Sequence, residues 1–354
     1  MPGILDRLQD FSAWIACGKI ALPDVVAIPP AQCSPPGSVG VDIVKDHDYF
    51  GVTINELFLS DARIGWATYD PMVVATTSFL YGDKRISVPS IVGPALLEQK
   101  GQKTPQGILL QDTTVAGPYP YRGAPVAISL VFYRMRHRDY AKDLLRLVEG
   151  VSSAVGPAAD MALLSKVGGA LIGGLDDLLG MGETEPIAGH RIELSHLSSG
   201  GFRTCYSVLF QGDARPSLSI LRVEGGRLMA SNGGGAPERY AAANYILYSV
   251  LRIERRDDER ALPFYSLYER ALSDAARGGA ERWEAAKATF GELWQEMILS
   301  PDLSKGQAIE LFQQWKKELL DARATGETTK LMSIDVDPPG DERVIGAANV
   351  LRLQ

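Results

Sequence analysis

Cysteine is scarce, long apolar runs are missing, and no excess of positive charge is present. Three cysteines (Cys17, Cys33, Cys205) stand far apart with no CxxC pair. That excludes a disulfide scaffold and favours free thiols in a reducing compartment. The most membrane-like run, Val167 to Leu175, is nine residues long, whereas a spanning helix needs about 20. A formal charge of −7 and a pI near 5.3 argue against a dedicated nucleic-acid binder, because such domains show a basic face or a pI above about 9. Asp6 and Asp10 interrupt the apolar start and no basic n-region precedes it, so no secretion signal is read. A soluble, cytoplasmic protein is expected.

Catalytic grammar is equally thin. The four histidines (His47, His137, His190, His196) lack HExxH or HxH spacing, and no cysteine stands near enough to complete a zinc pattern. His190 and His196 are six apart across a strand end, where ordinary histidines are the simpler reading than a metal pair. Asp46-His47-Asp48 sets a histidine between two carboxylates, which would raise its pKa if they were close; a polar turn is the simpler account. Ser199-Gly200-Gly201 and Ser231-Asn232-Gly233 are not nucleophile elbows. Gly168-Gly169 and Gly173-Gly174 lie at helical spacing in a leucine stripe, not in a phosphate-loop order. The acidic residues near the end (Asp335, Asp337, Asp341, Glu342) lack EF-hand order. No catalytic residue, metal ligand or cofactor is therefore assigned.

What is present is ordinary globular material: 354 residues, 45% hydrophobic and 22% charged. Ile4, Leu5, Leu8, Phe11, Trp14 and Ile15 give residues 4–17 an apolar helical face. A stretch with five prolines in twenty residues (Ala21 to Gly40) follows, and reads as extended chain. From Val39 to Met135 short β-like runs (VGVDIV, FGVTINELFL, MVVATTSFLY, RISVPSIVG, GILLQDTTV) are separated by turn signals such as Asp70-Pro71 and Tyr81-Gly82-Asp83. Gly117 to Gly123 reads as a tight bend. Two apolar-striped helices are expected within 139–180, broken at Gly156-Pro157. The β-text resumes at His190 and runs to Arg255, with Glu224-Gly225-Gly226-Arg227 as a hairpin turn.

Past Asp257 the pattern turns helical: Leu262–Ala275, Ala280–Leu299 and Lys305–Ala322, the last with Ser304 as N-cap. A soft segment, Thr325 to Thr329, and two β-like runs (LMSIDVD, VIGAANVLRL) end the chain. The expected fold class is α+β: a mainly antiparallel β-sandwich-like core with an inserted helical hairpin and a C-terminal three-helix unit. The expected organisation is a β-rich domain at 1–256, a helical unit at 257–324 and C-terminal strands at 325–354 that rejoin the β core or trail the helices.

Function is expected to be non-enzymatic: an adaptor or regulatory subunit of a bacterial-looking multi-protein system, held or cleaved by a partner near Gly233 or Thr325. The candidate interaction residues are Arg134, Arg136 and Arg138, which a strand would align on one face, and Trp283, Trp294 and Trp315 in the helical unit. A protein partner is expected and nucleic acid is not. Two alternatives remain open: a latent membrane-active effector using the 139–180 hairpin, whose Gly169 and Gly173 form a small-xxx-small pair, and an unrecognised hydrolase using His47 or His190.

Overall fold

Runs rich in β-branched and aromatic residues form strands here because both faces of the middle sheet are covered. The computed structural model describes residues 24–37, 39–60, 62–64, 66–93, 108–136, 184–197, 200–211, 216–231 and 235–334. The expected N-terminal helix, the 139–180 hairpin and the run from Val344 lie outside them. The chain is α+β and divides into two units, Met1–Asp258 and Glu259–Gln354.

In the first unit a five-stranded antiparallel sheet occupies the middle. Its order is β1 (Asp24–Ile28), β10 (Cys205–Phe210), β14 (Tyr245–Ile253), β3 (Tyr49–Phe58) and β7 (Ile108–Pro120). One face packs on an outer sheet made from β4 (Arg63–Ile64), β5 (Ala67–Tyr81), β6 (Lys84–Val92), β8 (Val126–Arg136) and β9 (Thr184–Leu194). Phe50, Ile54 and Tyr248 from the middle sheet meet Val73, Phe79 and Phe132 from the outer one. Phe50 meets Phe79 edge-on at 5.4 Å and Tyr119 stacks on Phe79 at 4.3 Å, both favoured aromatic geometries. The opposite face carries Val26, Val208, Phe210, Tyr245 and Leu247. These pack on a small sheet of β2 (Cys33–Ser34), β11 (Leu221–Glu224), β12 (Arg227–Ala230) and β13 (Glu238–Arg239). The sandwich thus carries a third layer.

Strand boundaries differ from expectation in four places, the first being β9, which starts at Thr184 and not at His190. Asp70 and Pro71 are strand residues, opposite Met135 and Arg134. Pro71 is tolerated because β6 ends at Val92, opposite Val73, so β5 is an edge at Pro71. Gly117 to Pro120 belong to β7, whose register shifts let the strand bend while it stays paired with β3. Val39 to Val44 makes one isolated bridge, Asp42 to Arg203, in place of a strand. The Glu224-Gly225-Gly226-Arg227 turn joins β11 to β12 as expected.

The second unit holds α1 (Tyr265–Ala276), α2 (Ala280–Leu299) and α3 (Lys305–Ile334). Ser304 caps α3: its Oγ accepts the Gln307 N–H at 3.1 Å. The core includes Tyr268, Ala271, Ala286, Leu293, Met297 and Trp315. α3 continues through the segment read as soft and through Leu331–Ile334, read as strand. Arg323 Nε bonds Glu327 Oε1 one turn on at 2.8 Å, and the Thr325 hydroxyl donates to the Asp321 carbonyl at 3.0 Å. Gly326, within the segment read as soft, is a contact point. A Cβ there would lie 2.3 Å from the Ala276 carbonyl oxygen.

Gly326→Ala tests that reading. In an open helix the change would stabilise by about 0.5–1 kcal/mol; here it forces α1 and α3 apart. A loss of about 1–3 kcal/mol is expected, read from urea unfolding followed by circular dichroism. A gain would show that the two backbones do not meet.

Candidate interaction surfaces

Buried carboxylates come first, because a charge taken from water must be paired or put to use. Glu56 on β3 is 0% exposed. Its Oε2 accepts the Leu228 N–H at 2.9 Å, and Oε1 accepts the Arg239 Nε–H at 2.9 Å. Both partners belong to the small sheet, so Glu56 fastens that sheet to the middle one. Beside it Arg227 forks onto Asp112 at 3.0 and 2.8 Å, while the Asn55 amide donates to the same carboxylate at 2.9 Å. Asp48, also buried, accepts the Val44 N–H at 2.7 Å and pairs with Arg252 at 2.9 Å. The charged run from Arg252 to Arg260 therefore contributes anchors. Arg256 is buried too, and pairs with Asp258 through Nη2 at 2.8 Å; that guanidinium holds the Asp258 carboxyl below its ordinary value.

The histidines sit apart in role. His47 Nδ1 is 3.9 Å from Asp48 Oδ1, too far for a hydrogen bond. His196 Nδ1 and the Tyr121 hydroxyl share a hydrogen bond at 3.0 Å, and the His196 backbone N–H donates to the same hydroxyl oxygen at 3.2 Å. His190 has its Nε2 buried without a hydrogen-bond partner, and burial lowers its pKa. His137 lies outside the described residues. Among the described residues no group of three His, Cys, Asp or Glu side chains could hold a metal ion. Cys33 and Cys205 are free thiols, and burial pushes Cys33 up to about 11 and raises Cys205. Both are protonated at neutral pH and poor nucleophiles.

The expected interaction residues separate into surface and core. Arg134, half-buried on β8, lays its guanidinium over the Tyr69 ring at 5.1 Å. Arg136 ends β8 opposite Tyr69, and Arg138 lies outside the described residues. Trp315 is a core residue, 4% exposed and stacked on Tyr268 at 4.4 Å; helical spacing put it on an apolar stripe, and that stripe faces inward. Trp283 is half-buried beneath Arg323, whose guanidinium lies 4.5 Å from the ring. Trp294 is half-buried against Phe312 at 4.6 Å. Thr325, expected at a cleavable loop, is inside α3; Gly233 lies outside the described residues.

Three exposed apolar residues were missed from sequence: Trp66 at 99% exposure, Leu197 at 82% and Leu299 at 80%. Trp66 had a signal. Arg63-Ile64 and Ala67-Thr68 flank a Gly-Trp step, and Ile64 does pair with Ala67 across it, the spacing of a two-residue hairpin.

No protein-family model matches the chain, and no curated protein matches it. A solved structure, "Human GIVD cytosolic phospholipase A2", aligns at 7% identity and a TM-score of 0.15, covering 66% of this chain and 37% of that one. This likeness carries no argument about fold or chemistry. No helix among the described residues is long and apolar enough to cross a membrane.

Two predictions follow from the buried charges. Arg239→Ala leaves the Glu56 carboxylate buried without its cation and is expected to cost about 3–5 kcal/mol. The Glu56→Gln/Arg239→Ala double variant should lose clearly less than the sum of the single changes, measured by chemical denaturation; additive losses would mean the pair is not coupled. For His190 the folded pKa is depressed, so below the ordinary histidine value near 6.5 only the unfolded chain takes up a proton. Stability falls as pH drops below that value, and His190→Leu should flatten the fall between about pH 7 and 5 in paired melts. An unchanged slope in the variant would show that His190 is not responsible.

Proposed function

We propose that the chain is a non-enzymatic protein-binding subunit, an adaptor or regulatory component that receives a partner's amphipathic helix on its C-terminal unit. The observation that carries this reading is the apolar group left open along α2 and α3. Trp294 packs on Phe312, each half-buried, and one turn away on the same faces stand Ile298 and Ile309, the latter 49% exposed. Such i, i+3 and i, i+4 neighbours share one helix face.

Helix-in-groove recognition uses surfaces of this kind, with aromatic anchors filling the floor and aliphatic rims excluding water. The paired carboxylates and the protonated thiols support a binding role by committing their chemistry to the fold. Free cysteines also fit a reducing compartment, and we place the protein in the cytoplasm.

Purification of the tagged chain from its own host at moderate salt, with mass spectrometry of what remains bound, tests the reading. A stoichiometric partner is expected, and the Ile309→Asp variant should lose it by roughly 10-fold or more in affinity while keeping the parent circular dichroism. Ile309 is 49% exposed, so the fold should tolerate the change. A monomer with no partner, or full retention by the variant, would refute the proposal.

A further inference from the structure

The seam between α2 and α3 runs well beyond the ring pair at Trp294 and Phe312. Arg323, late in α3, lies over Trp283, early in α2, while Trp294 meets Phe312 further along. The two helices are therefore antiparallel, and their shared flank extends from Trp283 to Ile298, about 22 Å at 1.5 Å per residue. On α2 the steps of three and four from Trp283 to Trp294 pass through Lys287 and Gly291. On α3 those from Ile309 to Leu320 pass through Phe312 and Lys316. Leu320 is 47% exposed, much as Ile309 is at the other end of the stripe. A Cβ on Gly291 would meet nothing within 4 Å, so the middle of the seam is open.

Charge is unevenly spread along it. Lys316 is exposed between Phe312 and Leu320 and makes no ion pair among the described residues. Lys287, on the facing helix, is held only by Glu284, a solvent-exposed pair one turn apart that contributes little. The acidic residues nearby are engaged or turned away. Glu292 pairs with Arg270 of α1, Glu318 takes the Tyr268 hydroxyl, and Glu327 is bonded to Arg323. Glu296, Glu310 and Asp321 lie more than a quarter turn round from the stripe.

Building on the proposed helix-binding role of this seam, and resting on it, we infer that the bound helix is acidic. It is an amphipathic segment of about four turns, matching the 22 Å flank. Its aliphatic side chains enter beside Trp294, Phe312 and Leu320, and Asp or Glu residues next to them meet Lys316 and Lys287. The rings exclude water from one side of each such pair, which strengthens it over an open surface pair. A basic helix would set its own cations against these lysines, and like charges brought together select against it. Nucleic acid is the weaker match, because Trp294 and Phe312 pack on each other and one unpaired lysine cannot neutralise a run of phosphates.

The test titrates the full chain against two labelled helical peptides of about 16 residues. Both carry the same leucine stripe; one has glutamates beside it and the other lysines. Fluorescence anisotropy at low and raised salt should show the acidic peptide binding at least about tenfold tighter, with the preference shrinking as salt rises. Lys316→Glu should weaken the acidic peptide about 3- to 10-fold and spare the basic one. Leu320→Gln, at an exposed position, should weaken both at least about tenfold while keeping the parent circular dichroism. Equal affinity for the two peptides, lost for both in Leu320→Gln, overturns the acidic partner and leaves the groove reading standing. An acidic preference undiminished by either change puts the contact elsewhere and overturns the inference. Failure of both peptides to bind also overturns it, and the partner purification then decides the groove by itself. Self-association lost in Leu320→Gln, with neither peptide bound, overturns it as well and makes the seam a contact between two copies.

Discussion

A strand covered on both faces has no position that water can serve, and β3, in the middle sheet of the first unit, is in that situation. A charged side chain on β3 is then costly unless it finds its partner inside the protein. Tyr49 to Phe58 are all buried, and the run includes Asn55 and Glu56. The Glu56 carboxylate resolves this by taking the Leu228 N–H and the Arg239 guanidinium from the small sheet. A buried pair of this kind adds little net stability over apolar packing. Its value lies in position: only one placement of β12 and β13 on β3 satisfies the charge. Arg227 on Asp112 repeats the arrangement nearer solvent.

The helical unit works by a different economy of space. Trp315, Tyr268 and Phe264 fill its interior, and the glycine at 326 lets α3 pass against the end of α1. With the centre filled by large rings, Trp294 and Phe312 are left half-open at the α2–α3 seam. A protein that needed only stability would bury such rings or do without them. Their partial exposure, together with that of Ile309, is what the proposed binding role rests on.

Trp66 poses the same question at the other end of the chain. An exposed tryptophan on a hairpin turn contributes nothing to the core, since neither sheet interface includes it. Sequence offered Arg134, Arg136 and Arg138 as interaction residues on one strand face. The fold adds the β4–β5 turn to it, through a register that places Arg136 opposite Tyr69.

Period and punctuation made much of the architecture legible: the α+β class, the Glu224–Arg227 hairpin, α1 and α2 to within a few residues, and Ser304 as a cap. These are local properties, set by side-chain alternation, helical spacing and turn chemistry. Where local rules misled, a distant neighbour was the cause. The run from Thr325 to Thr329 suggested a soft segment because nothing nearby shows that Ala276 lies against Gly326; Asp70-Pro71 suggested a turn because the edge that tolerates the proline exists only where the pairing with β6 has ended. Trp315 and Trp294 share an apolar pattern, yet one is core and the other half-open. The sequence by itself determined which segments become strands and helices, because those choices depend on residues a few positions apart. Only the tertiary structure decided which charges are buried and paired and which aromatics face water, because burial is a property of the whole packed chain.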